Sequence, residues 1–386
     1  MTTSSPIFSI DTLLTNIASL SDLPPELRAL AESEYKEIGN YLAGMQADGW
    51  DVYPQGSMAI GTVVRPIGDA GFDLDMVCLR NVAKQSTTQQ KLKDEVGQAL
   101  KAYVERANTK PIDVSPSRRC WVVDYPDNSG HGGLHIDVLP AIPDVDARSD
   151  TAIEITDENL RLWQPSDPKA YATWFNECTA KQRRAIKEAM AFKMSKSVDE
   201  IPDWEVKTTL QRVVQVLKLH RDQYFDNKDS DLRPPSILVT TLAAYAFAGE
   251  EELAEAVASC VRGMPSHVNQ VNGLYVVQSP VSKENFADKW NEYPERRAAF
   301  DDWMQQVRRD IDEAGAEEGM DRVGARLAKS FGESVVASAA RGMGIEIRES
   351  RDAGKLTFAA GAGGLGAAAA GAATVPQHKF YGRKQP

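Results

Sequence analysis

Between Gln55 and Cys78 the chain reads QGSMAIGTVVRPIGDAGFDLDMVC, and its segment Phe72-Asp73-Leu74-Asp75-Met76 alternates apolar and acidic residues. Side chains on a strand alternate between faces, so this pattern reads as a strand that buries Phe72, Leu74 and Met76 and presents Asp73 and Asp75 together. Two adjacent anions repel, and a divalent cation between them relieves the repulsion. Oxygen-only donors favour a hard ion, Mg²⁺ with Mn²⁺ as a substitute. The segment Leu134-His135-Ile136-Asp137-Val138 alternates in the same way, so a neighbouring strand can bring Asp137 beside the pair. Three carboxylates can hold two ions roughly 3.5–4 Å apart, the arrangement that activates an attacking oxygen and stabilises a leaving one in phosphoryl transfer.

Three other Asp-x-Asp pairs lack this context. Asp144/Asp146 follows a proline, Asp229/Asp231 sits in a polar loop-like run, and Asp310/Asp312 lies in a helical pattern that turns the two acids apart. Upstream of Asp73, Trp50 to Pro54 reads as a short strand leading into Gln55-Gly56-Ser57. A glycine there lets backbone amides approach an anion closely and the serine adds a hydroxyl donor, so the turn is a candidate triphosphate holder. An ordinary turn with a serine cap has the same letters. Gly61, Thr62 and Arg65 follow at positions that suit either the pocket or packing.

GSxxxGT, then DLD on a strand, then a single Asp in HIDVLP, resembles the DNA-polymerase-β-type nucleotidyltransferase superfamily. Within it the chain is most similar to the bacterial cGAS/DncV-like nucleotidyltransferases (CD-NTases) of CBASS anti-phage systems. The resemblance implies an α+β, bilobed fold: an N-terminal mixed-sheet polymerase-β-type core followed by a C-terminal helical lobe. It implies Asp73, Asp75 and Asp137 as catalytic metal ligands, two Mg²⁺ ions, and ATP and other NTPs as substrates for a cyclic di- or trinucleotide. LKxHRD followed by RPPSILVTTLAA looks like the family pair that binds the donor triphosphate, here Lys218 and Ser236. WxxSDPxxYxxWF and SPVSKENFADKW also resemble family segments, the latter with Lys289 as a nucleotide candidate.

The rest of the chain is read for organisation. Ile10 to Leu20 is amphipathic, and Pro24-Pro25 opens a longer helix to about Leu42 whose stripe suits a helix lying across two lobes. Leu92 to Val104 is a further helix, and Arg119 to Asp124 and Leu134 to Leu139 are strands joined by a polar turn at residues 128–130. Gly132-Gly133 before the second strand indicates a close backbone approach. From Pro140 the pattern turns helical, which sets residues 1–160 as the core with its spine helix and 161–358 as the helical lobe. The Lys- and Arg-rich face of 181–196 reads as solvated. His131 and His135 stand near the proposed metals, but Mg²⁺ prefers oxygen, so exposed or capping roles suit them better. Residues 359–386 read as a flexible Gly/Ala linker and tail. Phe380 and Tyr381 could dock that tail on the body, or an ancillary CBASS protein could act on it; Pro386 departs from the small residue at which conjugated tails often end.

The net charge of −11 and the lack of a basic run argue against a nucleic-acid activator or a tRNA substrate. Four scattered cysteines indicate neither a disulfide framework nor zinc, and no stretch is long and apolar enough to span a bilayer, so the expected setting is the cytoplasm. Two rival readings remain: another transferase of the superfamily, modifying a small molecule or a tRNA end, and a catalytically inactive nucleotide-binding regulator.

Overall fold

A computed structural model of the chain describes residues 10–45, 50–65, 71–106, 111–117, 119–126, 133–156, 162–353, 356–359, 364–367 and 373–374. His131, Gly132, the turn at 128–130, Phe380, Tyr381 and Pro386 lie outside the described residues.

Two helices open the described chain, α1 (Ile10–Leu20) and α2 (Pro25–Met45). Next come β1 (Trp50–Gln55), the short α3 (Gly56–Ile60), β2 (Phe72–Arg80) and α4 (Gln89–Val104). Five more strands, β3 (Asp113–Pro116), β4 (Trp121–Tyr125), β5 (Leu134–Pro143), β6 (Ile153–Ile155) and β7 (Gln164–Ser166), complete a seven-stranded sheet. Its main path runs β1-β2-β5-β4-β3, with β6 on the far end of β5 and β7 on β6. Only β2 and β5 pair in parallel; the neighbouring pairs are antiparallel, so the sheet is mixed.

Alternation gives the sheet two chemically different faces. Phe72, Leu74, Met76 and Cys78 of β2 and Leu134, Ile136 and Val138 of β5 are buried in one cluster with Leu27, Ala31, Ile38 and Leu42 of α2 and Leu92, Val96 and Leu100 of α4. Burying each large side chain contributes about 1.5–3 kcal/mol, which ties the strands to this register. A one-residue slip would send the acids into that core. On the other face Val77, Leu139, Ile153 and Ile155 make a smaller cluster.

Beyond β7 the chain is helical: α5 (Pro168–Glu177), α6 (Ala180–Met194), α7 (Thr209–Phe225), α8 (Ser236–Ala246) and α9 (Leu253–Gly263), then the hairpin β8 (Asn269–Val271) with β9 (Leu274–Val276). The lobe closes with α10 (Asp288–Glu292), α11 (Pro294–Ala316), α12 (Met320–Phe331) and α13 (Glu333–Asp352). Helix α7 is its axis: Thr208 and Gln211 cap its start reciprocally, and twelve of its residues are buried.

Four features differ from the sequence reading. The chain does not turn helical at Pro140, because β5 continues to Pro143 and β6 and β7 extend the sheet as far as Ser166; Pro165 sits in the last, edge strand, the place where a proline costs no ladder hydrogen bond. The strand β3 carries too few apolar residues to announce itself. Leu13, Leu14, Ile17 and Ala18 of α1 are buried with the helical lobe, so the lobes are not consecutive in sequence. Helix α2 packs against the sheet, with Arg28 reaching the Trp204 ring at 5.2 Å. Where a linker was expected, β10 (Leu356–Ala359), β11 (Gly364–Ala367) and β12 (Ala373–Thr374) form a small antiparallel sheet. Backbone pairing needs no side chain, which is why Gly and Ala do not forbid it.

Candidate active site

The parallel pairing of β2 with β5 sets Asp75 opposite Asp137 and Asp73 opposite His135, while β1 brings Gln55 opposite Asp75. All five polar residues stand on the sheet face turned away from α2 and α4. Burial first, and then the Asp137 charge, pushes Asp75 up to about 6. Asp73 and Asp137 are raised as well, burial again being the leading cause. Carboxylates gathered without a counter-cation behave in this way. The Cys120 thiol, itself pushed up to about 12 by burial and then by Asp137, lies 3.4 Å from Asp137 Oδ2 as a donor.

Immediately after β1 the chain passes close over Asp75. Gly56 has φ +58°, and a Cβ there would come within 2.3 Å of Asp75 Oδ2. A similar closeness occurs at the strand starts, where Phe72 N donates to Gly133 O at 2.8 Å and a Cβ on Gly71 would stand 2.4 Å from that oxygen. The expected backbone approach before β5 is therefore made by Gly133 against Gly71.

Opposite the sheet face stand α7 and the start of α8. Lys218, 5% exposed, donates from Nζ to Thr62 O at 2.9 Å. Burial, helped by the Arg221 charge, lowers its ammonium to about 8 against the pull of Asp222, Asp75 and Asp73. Arg221 donates to Ser236 Oγ at 2.9 Å and to Pro234 O at 3.1 Å, and pairs with Asp222. Between the two walls lies a cavity of about 700 Å³. Gln55, Gly56, Ser57, Asp73 and Asp75 line one side of it and Lys218, Arg221, Arg233 and Ser236 the other. That is a volume ordinary for a small-molecule site.

Residues 10–179 match the Second Messenger Oligonucleotide or Dinucleotide Synthetase domain. The chain is 29% identical over 303 residues to the c-di-GMP synthase of Roseivirga ehrenbergii, covering 76% of each. It is 25% identical over 308 residues to the cyclic dinucleotide synthase CdnG of Bradyrhizobium diazoefficiens, covering 73% of this chain and 70% of the relative. The solved structure of the B. diazoefficiens CD-NTase CdnG in complex with GTP superposes with TM-score 0.69 at 22% identity, over 86% of this chain and 99% of that one. Over most of its length the chain is thus similar in sequence to cyclic dinucleotide synthases, and it shares the CD-NTase fold.

Of the residues expected to serve a CD-NTase, Gln55, Gly56, Ser57, Asp73, Asp75, Lys218 and Ser236 line the one cavity, and Thr62 joins them. Asp137 stands behind Asp75 rather than in the wall. Gly61 and Arg65 face elsewhere: Gly61 ends α3 in the left-handed region with its carbonyl held by Lys207 Nζ at 2.8 Å, and Arg65 is exposed. Lys289 is engaged with Glu292 at 3.0 Å. His135 pairs through Nδ1 with Asp124. Arg221, read as closing a helix, and Arg233 were not counted as site residues because a single arginine near a helix end looks solvated; the signals available were the LKxHRD segment for Arg221 and the place of Arg233 directly before Pro234-Pro235-Ser236. Arg119, Cys120 and Glu284 carried no local signal. Asp73, Asp75 and Asp137 offer oxygen donors, which fit a hard divalent ion. Among the described residues no three carboxylate, imidazole or thiol groups converge at metal-holding distance.

Proposed function

We propose that this protein is a CD-NTase that joins nucleoside triphosphates into a cyclic di- or trinucleotide signal by metal-assisted nucleotidyl transfer. One observation carries the reading: the strand register that sets Asp75 against Asp137, with Asp73 on the same face, over a cavity whose far wall is cationic. Asp73, Asp75 and Asp137 would hold two Mg²⁺ ions. When bound, these would supply a lowered pKa at the attacking ribose hydroxyl and charge neutralisation at the departing pyrophosphate. Gly56 keeps the backbone close enough for Ser57 and Gln55 to meet the phosphates beside Asp75. Lys218 adds positive charge behind Thr62, and Arg221 and Ser236 present donors to the outer phosphates. The relatives that match are named as synthases of c-di-GMP or cyclic dinucleotides, and one was solved with GTP, which supports NTPs as substrates.

A tRNA-end or other nucleic-acid substrate fits poorly with a net charge of −11, and an inactive regulator fits poorly with three intact carboxylates. Among the described residues no helix is long and apolar enough to cross a membrane. The proposal extends to anti-phage signalling in the cytoplasm, without a nucleic-acid activator, with an ancillary protein acting on the C-terminal tail as a possible control. Incubating the purified protein with Mg²⁺ and labelled ATP, GTP, CTP and UTP tests the activity. Phosphatase-resistant products that survive as closed rings support it, and their absence in every mixture would reject it. Long duplex DNA or RNA should leave the rate unchanged.

A further inference from the structure

Among the described residues, two charged side chains lining the cavity have no side-chain partner. Glu284, from the loop between β9 and α10, and Arg119, just before β4, both line it, and the Arg119 charge is felt at Glu284. Yet they do not close into an ion pair, and no hydrogen bond to another described residue engages either head group. Burial holds Glu284 up to about 7, with Arg119 opposing and Asp288 reinforcing. A half-buried carboxylate and guanidinium that face one space from different lobes, unpaired, are costly unless a ligand completes them. Beside them Tyr171 and Phe286, ring centroids 6.2 Å apart and edge to face, with Leu139 and Ile155 on the sheet side, give that part of the cavity flat apolar walls.

We propose that Glu284 and Arg119 read the base of a bound nucleotide and select guanine. An ionised carboxylate accepts, and guanine offers two adjacent donors, N1–H and N2–H₂, on one edge. A guanidinium only donates, and guanine presents O6 next to those donors and N7 beyond it. Adenine inverts the pattern, placing an amino donor where O6 would be and a bare N1 acceptor against the carboxylate. Cytosine matches a carboxylate through its amino group alone. The phosphates belong at the other end of the cavity, beside Gly56, Ser57 and Lys218, so a nucleotide spans it from cationic pole to base-reading pole. This inference rests on the nucleotidyltransferase reading above and adds base choice to it.

Calorimetry with the α,β-methylene analogues of GTP and ATP, whose α-phosphate cannot be transferred, tests it on the full chain in Mg²⁺. The intact protein should bind the GTP analogue more tightly than the ATP analogue. Glu284→Gln should weaken the GTP analogue about 5–150-fold, the equivalent of the 1–3 kcal/mol a good bidentate base contact supplies, and leave the ATP analogue within about twofold. Arg119→Ala, at a separate position, should reduce the same preference, so a folding defect in one variant leaves the other to decide. A preference for the ATP analogue, or equal losses for both analogues in both variants, would overturn base reading while leaving nucleotide binding intact. Failure of the intact protein to bind either analogue would instead overturn the nucleotidyltransferase reading itself.

Discussion

The two walls of the cavity are built by opposite means. On the sheet side, position comes from backbone register: Asp73, Asp75 and Asp137 are where they are because Phe72, Leu74, Met76 and Ile136 must be buried behind them. On the helical side, position comes from side chains that reach across and seize backbone carbonyls. Lys218 holds Thr62, Gln215 holds Val63, Gln211 holds Ile60 and Lys207 holds Gly61, each at 2.8–2.9 Å. Four successive carbonyls, from the last residue of α3 onward, are thus clamped by α7 and the residues leading into it. The acids are held at a cost to the fold, since burial raises their pKa values, whereas Lys218 supports the fold through the Thr62 carbonyl and would serve a ligand as well.

Neutralising the acids is the most severe test of that contrast. The pair Asp73→Asn with Asp75→Asn should lower product formation by more than about 10³-fold, the scale on which single catalytic electrostatic contacts act, with Tm unchanged or raised. Near-normal turnover, or a clear fall in Tm, would break the distinction. Next in size is Gly56→Ala, which forces a Cβ towards Asp75 Oδ2 at a positive φ. Activity should drop roughly 10–100-fold, the scale of a 1 Å misplacement at a reacting centre, while circular dichroism at room temperature stays native. Lys218→Ala should behave differently from the acid variants. It strands the Thr62 carbonyl at a cost of about 1–3 kcal/mol, so Tm should fall and KM should rise together. A KM effect with unaltered Tm would make Lys218 a pure phosphate ligand.

The sheet wall was legible because strand alternation is a local signal and the buried and acidic residues share one short segment. The helical wall was legible only where resemblance pointed, at Lys218 and Ser236. What Lys218 touches could not be read, because Thr62 is 156 residues away and nothing in KTTLQRVVQVLKLH declares a carbonyl partner. The same applies to Arg119 and Glu284, which line one cavity from different lobes. The edge strands β6 and β7 were hidden by Pro143 and Pro165, residues that locally signal a turn.

A smaller effect concerns pH. In metal-free protein Asp75 has its folded-state pKa raised from 3.8 to about 6. A raised carboxylate contributes stability as the neutral acid, in full below about pH 4, and that contribution is lost as pH rises through about 6. In chelator, Tm should therefore decline between about pH 4 and pH 7, and Asp75→Asn should flatten the decline. An identical profile in the variant would show that Asp75 is not the group responsible.

Whether one sheet face is a cation-holding centre is decided by Mn²⁺ binding followed by electron paramagnetic resonance. With the α,β-methylene GTP analogue present, the intact protein should take up two ions per chain, and the Asp73→Asn, Asp75→Asn protein should lose both while still folded. Equal uptake by the two proteins would show that the face is not such a centre.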